Sequence, residues 1–451
     1  MSGPKVVRVV TREELVALGE SVLARLDQAL SMWRDQCSQL GQIADEDLNK
    51  AVSRRDALEA LLRADQFQAF TKAANGEIGF LQSDVEARRQ AAIEAKARER
   101  SRNESGRQNA KAMAKALRAK SGDMEADLIA ELESVATGKL SIAAIDQLLA
   151  RGIQLLSRRE ASQLTEAQRQ LASRLASGEA AQTLEQWKAT QVKTDPRQEA
   201  LHRLITELAM LGDVSASERL NTQMASLMQS GDPSQQAMRL DSLLIDARNA
   251  KANAIALDQA AKELQLLAAE MKSAGIDAAS WQAKVDQAGQ QKSTETLRQL
   301  VDEGRGELSD ALRSKAALAR RHAVLHGLAK LGYSVQEGMS TTLAQDGRLV
   351  IKKPDMPGYG IEVAGGTANE RLQVRAVALS ASRDTTRDLD AESRWCQDFT
   401  KLQAELRVNG NELVIEKALP VGAVPLRVVD VETAEHTVNR TATPTAKGRQ
   451  Q

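Results

Sequence analysis

Aromatic residues are nearly absent: four Trp, two Tyr and four Phe serve 451 residues. Large rings are the usual fillers of a broad core. Their scarcity points to narrow seams between helices instead. Cysteine is as scarce, with Cys37 and Cys396 far apart. No disulfide framework can be written from two distant thiols, and a reducing, cytoplasmic setting is expected. No apolar run is long enough to span a bilayer, and residues 1–8 hold no apolar leader segment, so no membrane partner is expected. Neither sign of charge is in excess, since 61 Lys and Arg balance 61 Asp and Glu. No global field therefore draws the chain to nucleic acid.

Catalytic and cofactor signatures are missing too. Gly358-Tyr359-Gly360 and Gly365-Gly366 lack the strand–turn–helix setting of a dinucleotide loop, and no Lys-Ser or Lys-Thr follows a glycine loop as a phosphate cradle requires. His322 and His326 stand four apart, a spacing at which two imidazoles can share a metal. No third ligand lies near them, and Arg320 and Arg321 would repel a cation. Cys396 has no histidine close in sequence to activate it, and reads as a cysteine packed beneath a sheet. Neither an enzyme nor a metal or cofactor site is expected.

What the sequence has in quantity is helical periodicity. Leu240, Leu243, Ala247, Ala250, Ala254, Leu257, Ala261, Leu264, Ala268 and Met271 alternate steps of three and four, the seam of a helix packed along another. That partner is either another helix of the chain or the same helix in a homodimer. Thr11 with Glu14 forms a capping box ahead of a long apolar stripe, and Ser215 with Glu218 forms another. The order read along the chain is a strand at 1–10, a helical hairpin at 11–97 and a polar, basic joint at 98–123. A helical bundle at 124–232 and a heptad coiled coil at 233–307 follow. An α+β domain at 308–431 and a disordered tail at 432–451 complete it. Residues 98–109 contain no apolar side chain, and Gly106 favours a break there. A second break is expected at Asn75-Gly76.

The α+β domain gathers both tyrosines. Alternating segments at 333–336, 348–352, 359–363 and 372–379, then a helix carrying Trp395 and Phe399, then 413–415 and 426–429, predict an antiparallel sheet with helices. Its order resembles small peptide-binding folds of the secretion-chaperone type, a likeness of topology that implies no function. Met1-Ser2-Gly3-Pro4-Lys5, followed by a valine-rich strand and a long helix, is similar to the start of some uncharacterised bacterial coiled-coil proteins. That resemblance covers about ten residues and implies no activity. An isolated strand is unstable, so residues 5–10 either join or lie against the C-terminal sheet or are disordered, and the sequence does not choose.

The fold expected is thus mainly α: an elongated coiled coil or helical bundle with a small C-terminal α+β domain. The function expected is that of a non-enzymatic scaffold or adaptor in a bacterial multiprotein assembly, binding protein partners through that domain. Tyr359, Trp395 and Phe399 are the candidate contact residues, with Tyr359 exposed in a turn. The alternative is a nucleic-acid-associated protein of a genome-maintenance or phage-defence complex. It would contact phosphate through Arg88, Arg89, Arg98, Arg100, Arg102, Arg107, Lys111 and Lys115. No aromatic is interleaved there for base stacking.

Overall fold

The computed structural model describes residues 4–121, 126–139, 145–163, 195–229, 233–291 and 293–429, except 337–338, 340–342, 344–346, 366–370 and 383. The tail expected at 432–451 lies outside the described residues, as does much of the bundle expected at 124–232. The chain divides into two compact units. The first comprises residues 1–36, 43–82 and 260–451, and the second residues 37–42 and 83–259.

In the first unit, Lys5, Val7 and Val9 alternate with half-buried or exposed neighbours and form β1 (Lys5–Val10). The strand ends at Thr11, whose Oγ accepts the Glu14 N–H at 3.2 Å. This is the N-terminal cap expected for α1 (Arg12–Gln39). A short turn leads to α2 (Asp45–Arg63). A Cβ at Gly19 would sit 2.3 Å from Leu62 Cδ1, and Asp27 pairs with Arg55 at 2.7 Å. Together these register the two helices as an antiparallel hairpin. The chain then breaks at Asp65, which takes φ 58°, before α3 (Phe67–Ser121). The break expected at Asn75-Gly76 does not occur, and α3 runs through it.

The second unit holds the remainder of α3, with α4 (Ala126–Ala136), α5 (Ile145–Gln163), α6 (Pro196–Met210) and α7 (Val214–Gln229). It also holds the first part of α8 (Pro233–Ser273). Ala110, Met113 and Leu117 of α3 pack with Leu128, Leu132 and Leu149. Leu201 and Leu208 of α6, Leu220 and Met224 of α7, and Leu240, Leu244 and Ala247 of α8 make a second core. Asp195 caps α6 through the Arg197 N–H at 2.9 Å, with Pro196 at the first helical position, where its missing N–H costs nothing. The cap of α7 is Asp213, whose carboxylate accepts the Ala216 N–H at 3.1 Å. The box expected at Ser215 and Glu218 therefore begins two residues too late.

The polar stretch 98–109 is helix rather than joint. Polar contacts replace the missing apolar seam. Arg98 pairs with Glu94 one turn back at 3.2 Å, His202 Nε2 meets Glu104 at 2.9 Å, and Arg100 donates to Asn221 Oδ1 at 2.8 Å. Such contacts support a helix that apolar periodicity alone would end.

The remainder of the first unit holds the end of α8, α9 (Ala278–Gln291) and α10 (Thr294–Lys330). Helix α10 crosses the boundary expected at 307/308 without a break. The first half of the heptad seam is buried among α6 and α7. Further along α8, beside the seam, a Cβ on Gly304 of α10 would lie 2.6 Å from Leu267 and meet Trp281 of α9, so only glycine admits that approach.

The strands are β2 (Arg348–Lys352), β3 (Tyr359–Ala364), β4 (Arg371–Ala378), β5 (Glu412–Ala418) and β6 (Arg427–Val428). Helix α11 (Asp388–Val408) intervenes between β4 and β5. The sheet order is β2-β3-β4-β1-β5, with β6 beside β4. All pairs are antiparallel except β4 with β6. The first strand of the chain thus lies inside the last sheet, and residues 5–10 are not disordered, the other reading the sequence allowed. Residues 333–336, expected as a strand, are not one. Tyr333 is instead a core residue whose hydroxyl donates to Asp398 at 2.9 Å. Burial and that carboxylate push its phenol pKa well above the ordinary value.

Candidate functional site

Antiparallel register sorts the sheet's side chains to two faces. One face carries Val7, Val9, Ile351, Ile361, Val363 and Val374, which pack with α10 and α11. The other is covered by no helix among the described residues. Register aligns three rows on it. The first runs Val350, Glu362, Arg375; the second Arg348, Ala364, Gln373, Val6, Lys417; the third Arg371, Arg8, Val414. This face therefore bears Arg8 on β1, Arg348 and Lys352 on β2, Arg371 and Arg375 on β4, Lys417 on β5 and Arg427 on β6. The carboxylates among them are Glu362, Glu412 and Glu416.

Glu362 organises the face. It is 1% exposed and sits under three guanidiniums: Arg348 at 2.9 Å, Arg375 in direct contact and Arg427 at 3.4 Å. One buried carboxylate cannot neutralise three cations. The arginines are held in fixed positions and keep an unspent positive field toward solvent. Arg371 pairs with Glu416, while Arg8 has no ion pair among the described residues. The surface can grip carboxylates or phosphates.

The three aromatic contact residues expected from sequence are not on any surface. Tyr359, expected exposed, is 8% exposed, and its hydroxyl lies within hydrogen-bond distance of two acceptors, the Asp384 carbonyl at 3.1 Å and the Asp388 carboxylate at 3.0 Å. Trp395 and Phe399 are each 1% exposed and meet edge to face at 5.6 Å. The stripe Ala391, Trp395, Phe399, Leu402, Leu406 is the side of α11 that seats on the sheet. Aromatic scarcity reserves these rings for the core.

The basic segment is divided. Arg88 pairs with Asp84, Arg89 with Glu86 and Asp258, and Arg98 and Arg100 are engaged as above. Arg102, Arg107, Lys111 and Lys115 are exposed. At about 100° per residue, Arg107, Lys111 and Lys115 fall within an arc of roughly 80° on α3, beside Arg118, which pairs with Glu133 at 2.7 Å. His322 and His326 stack with centroids 6.0 Å apart, and no group of metal-ligating side chains occurs among the described residues.

A groove of about 400 Å³ lies between α1, α8 and α10, with Leu267, Leu308 and Leu312 at its base and Arg25, Glu263 and Glu270 among its polar lining. Burial raises the Glu270 pKa; Glu263 raises it further, against the opposing effects of Arg25 and Ser21. The folded value therefore lies above the unfolded one. Stability from this group is full below the unfolded value and is lost as pH rises through the folded one. Glu270→Gln is expected to melt higher than the native chain at neutral pH and to flatten this slope in a pH series of thermal melts. An unchanged or lower melting temperature at neutral pH contradicts this.

Sequence reasoning missed the basic sheet face because no contiguous run encodes it. Its one local trace is the alternation of Arg348 with Lys352 and of Arg371 with Arg375. No helix among the described residues is long and apolar enough to cross a membrane. Comparison of the chain with protein-family models, curated proteins and solved structures finds no match.

Proposed function

We propose that the protein is a non-enzymatic scaffold or adaptor of a multiprotein assembly. In this reading its long helices set spacing, and its C-terminal α+β domain docks an acidic segment of a protein partner. The observation that supports this is the helix-free sheet face, with arginines fixed around the buried Glu362. Fixed cations without a nearby acid–base pair favour recognition over chemistry, and complementary charge gives such a contact its specificity.

Co-purification of the full chain from its native host, with and without nuclease, tests the reading. A stoichiometric partner that survives nuclease is expected. Arg8→Glu combined with Lys417→Glu is expected to weaken that partner by roughly tenfold or more, about 1.4 kcal/mol or above, as read by titration of the purified pair. Melting should hold, since Arg8 faces Arg371 across the ladder and a glutamate there meets an opposite charge. Unchanged affinity in the double variant refutes the docking face.

The stripe Arg107, Lys111 and Lys115 on α3 supports a second reading, contact with nucleic-acid phosphate. Partners that vanish with nuclease, and binding that falls steeply with salt, would move the function there.

A further inference from the structure

Lys5 is 2% exposed, an unusual place for an ammonium group, which desolvation penalises unless it is compensated. No carboxylate pairs with it among the described residues. Its Nζ instead donates to Cys396 Sγ at 3.2 Å and lies over the rings of Phe399 at 4.7 Å and Trp395 at 5.8 Å. The backbone of Lys5 is pinned on both sides, opposite Val374 on β4 and Ala418 on β5. Cys396 is held on α11 and retains partial exposure, whereas Cys37 is buried. A fixed amine therefore stands at contact distance from the thiol of a partly exposed residue.

We propose that Lys5 and Cys396 form an oxidative modification site, in which a hydroperoxide joins β1 to α11 through a sulfur–nitrogen bond. In the first step Sγ attacks the peroxide O–O bond. Sulfur is oxidised by two electrons to the sulfenic acid, the peroxide is reduced, and water leaves. In the second, the Lys5 nitrogen, having released a proton, attacks the same sulfur. The S–O bond breaks as the S–N bond forms, and the hydroxyl leaves as a second water with a proton from nitrogen. One thiol, one amine and one hydrogen peroxide give one S–N link and two waters. A neighbouring positive charge favours thiol reactivity, and the shell of Trp395 and Phe399 limits water around the sulfenic acid. The bond would close the chain between positions 391 residues apart.

The test treats the folded full-length protein with hydrogen peroxide and maps its peptides without reduction. The expected product is a joined pair containing Lys5 and Cys396, lighter than the sum of its parts by two hydrogens. Trypsin should no longer cut after Lys5, and dithiothreitol should reverse the link. In Lys5→Met, whose side chain is apolar and of similar length, dimedone labelling of Cys396 during oxidation should rise at least several-fold over the native chain, because no amine intercepts the sulfenic acid. Cys396→Ser should form no link. Oxidation of native Cys396 to a dimedone adduct or a sulfinic acid with Lys5 unmodified overturns the proposal. So does a Cys396 inert to peroxide. The map of the native chain decides this alone, even if Lys5→Met folds poorly.

Discussion

A chain lacking residues 1–10 is expected to lose the fold of its C-terminal α+β domain, some 340 residues away in sequence but adjacent in the sheet. β1 separates β4 from β5, so its removal opens two ladders at once and leaves β5 with no described strand partner. Val7 and Val9 are fully buried, and each contributes about 1.5–3 kcal/mol by its burial. Adding the two ladders brings the loss close to the roughly 5–15 kcal/mol that holds a whole domain together. The near-ultraviolet circular dichroism of the truncated chain should show Tyr333 and Trp395 released from their fixed edge-to-face contact. Amide exchange should become fast along β4 and β5. Supplying residues 4–11 through a flexible linker ahead of residue 308 should restore protection in a 308–429 fragment that is unprotected without them. Slow exchange in β4 and β5 of the truncated chain would show the strand to be dispensable.

Trp395→Ala should be the most damaging single substitution in the same domain. Trp395 is among the largest fully buried side chains, and it touches Tyr333 and Phe399 edge to face. Truncating a buried tryptophan costs about 3–5 kcal/mol, because the lost burial is joined by a cavity that rigid neighbours cannot fill. The sheet and α11 cannot close over that gap, since Lys5 and Tyr333 border it with polar ends fixed elsewhere. Chemical denaturation followed at α11 should show a lower midpoint whose shift, multiplied by the slope of free energy with denaturant, equals that loss, with little change in the second unit. Trp395→Phe, which keeps a ring, should recover most of it. A shift below about 1 kcal/mol for the alanine variant would mean that the core there is not packed as described.

The elements that could be read from sequence are those whose signal is local. Thr11 and Glu14 mark the start of α1, the three–four alternation marks α8, and alternating valines mark β1. The partner of β1 was only half legible: a lone strand must pair and only one sheet was predicted, but disorder of residues 5–10 fitted the sequence equally well. Illegible features depend on contacts between distant segments. The break at Asp65 requires a left-handed conformation that carries no glycine to advertise it. Residues 98–109 look unsupported until Glu104 meets His202 and Arg100 meets Asn221. Tyr333 to Gln336 alternate as a strand does, yet the Tyr333 hydroxyl is spent on Asp398. The candidate site was the least legible of all. Aromatic scarcity made Tyr359, Trp395 and Phe399 conspicuous and suggested display, whereas the same scarcity sends them inward. The outward cations are scattered over five strands, one or two to a strand, with uncharged residues between them.

Placing β1 between β4 and β5 also sets a schedule for synthesis. Residues 5–10 are made about 360 to 410 residues ahead of the strands that flank them, 371–378 and 412–418. At roughly 5–20 residues per second, the valine-rich strand waits about 20–80 s with both edges unpaired. During that interval it is an aggregation-prone segment whose only native shelter has not yet been made. Conditions that slow translation should therefore lower the soluble yield of this chain more than that of one whose sheet is built from consecutive strands.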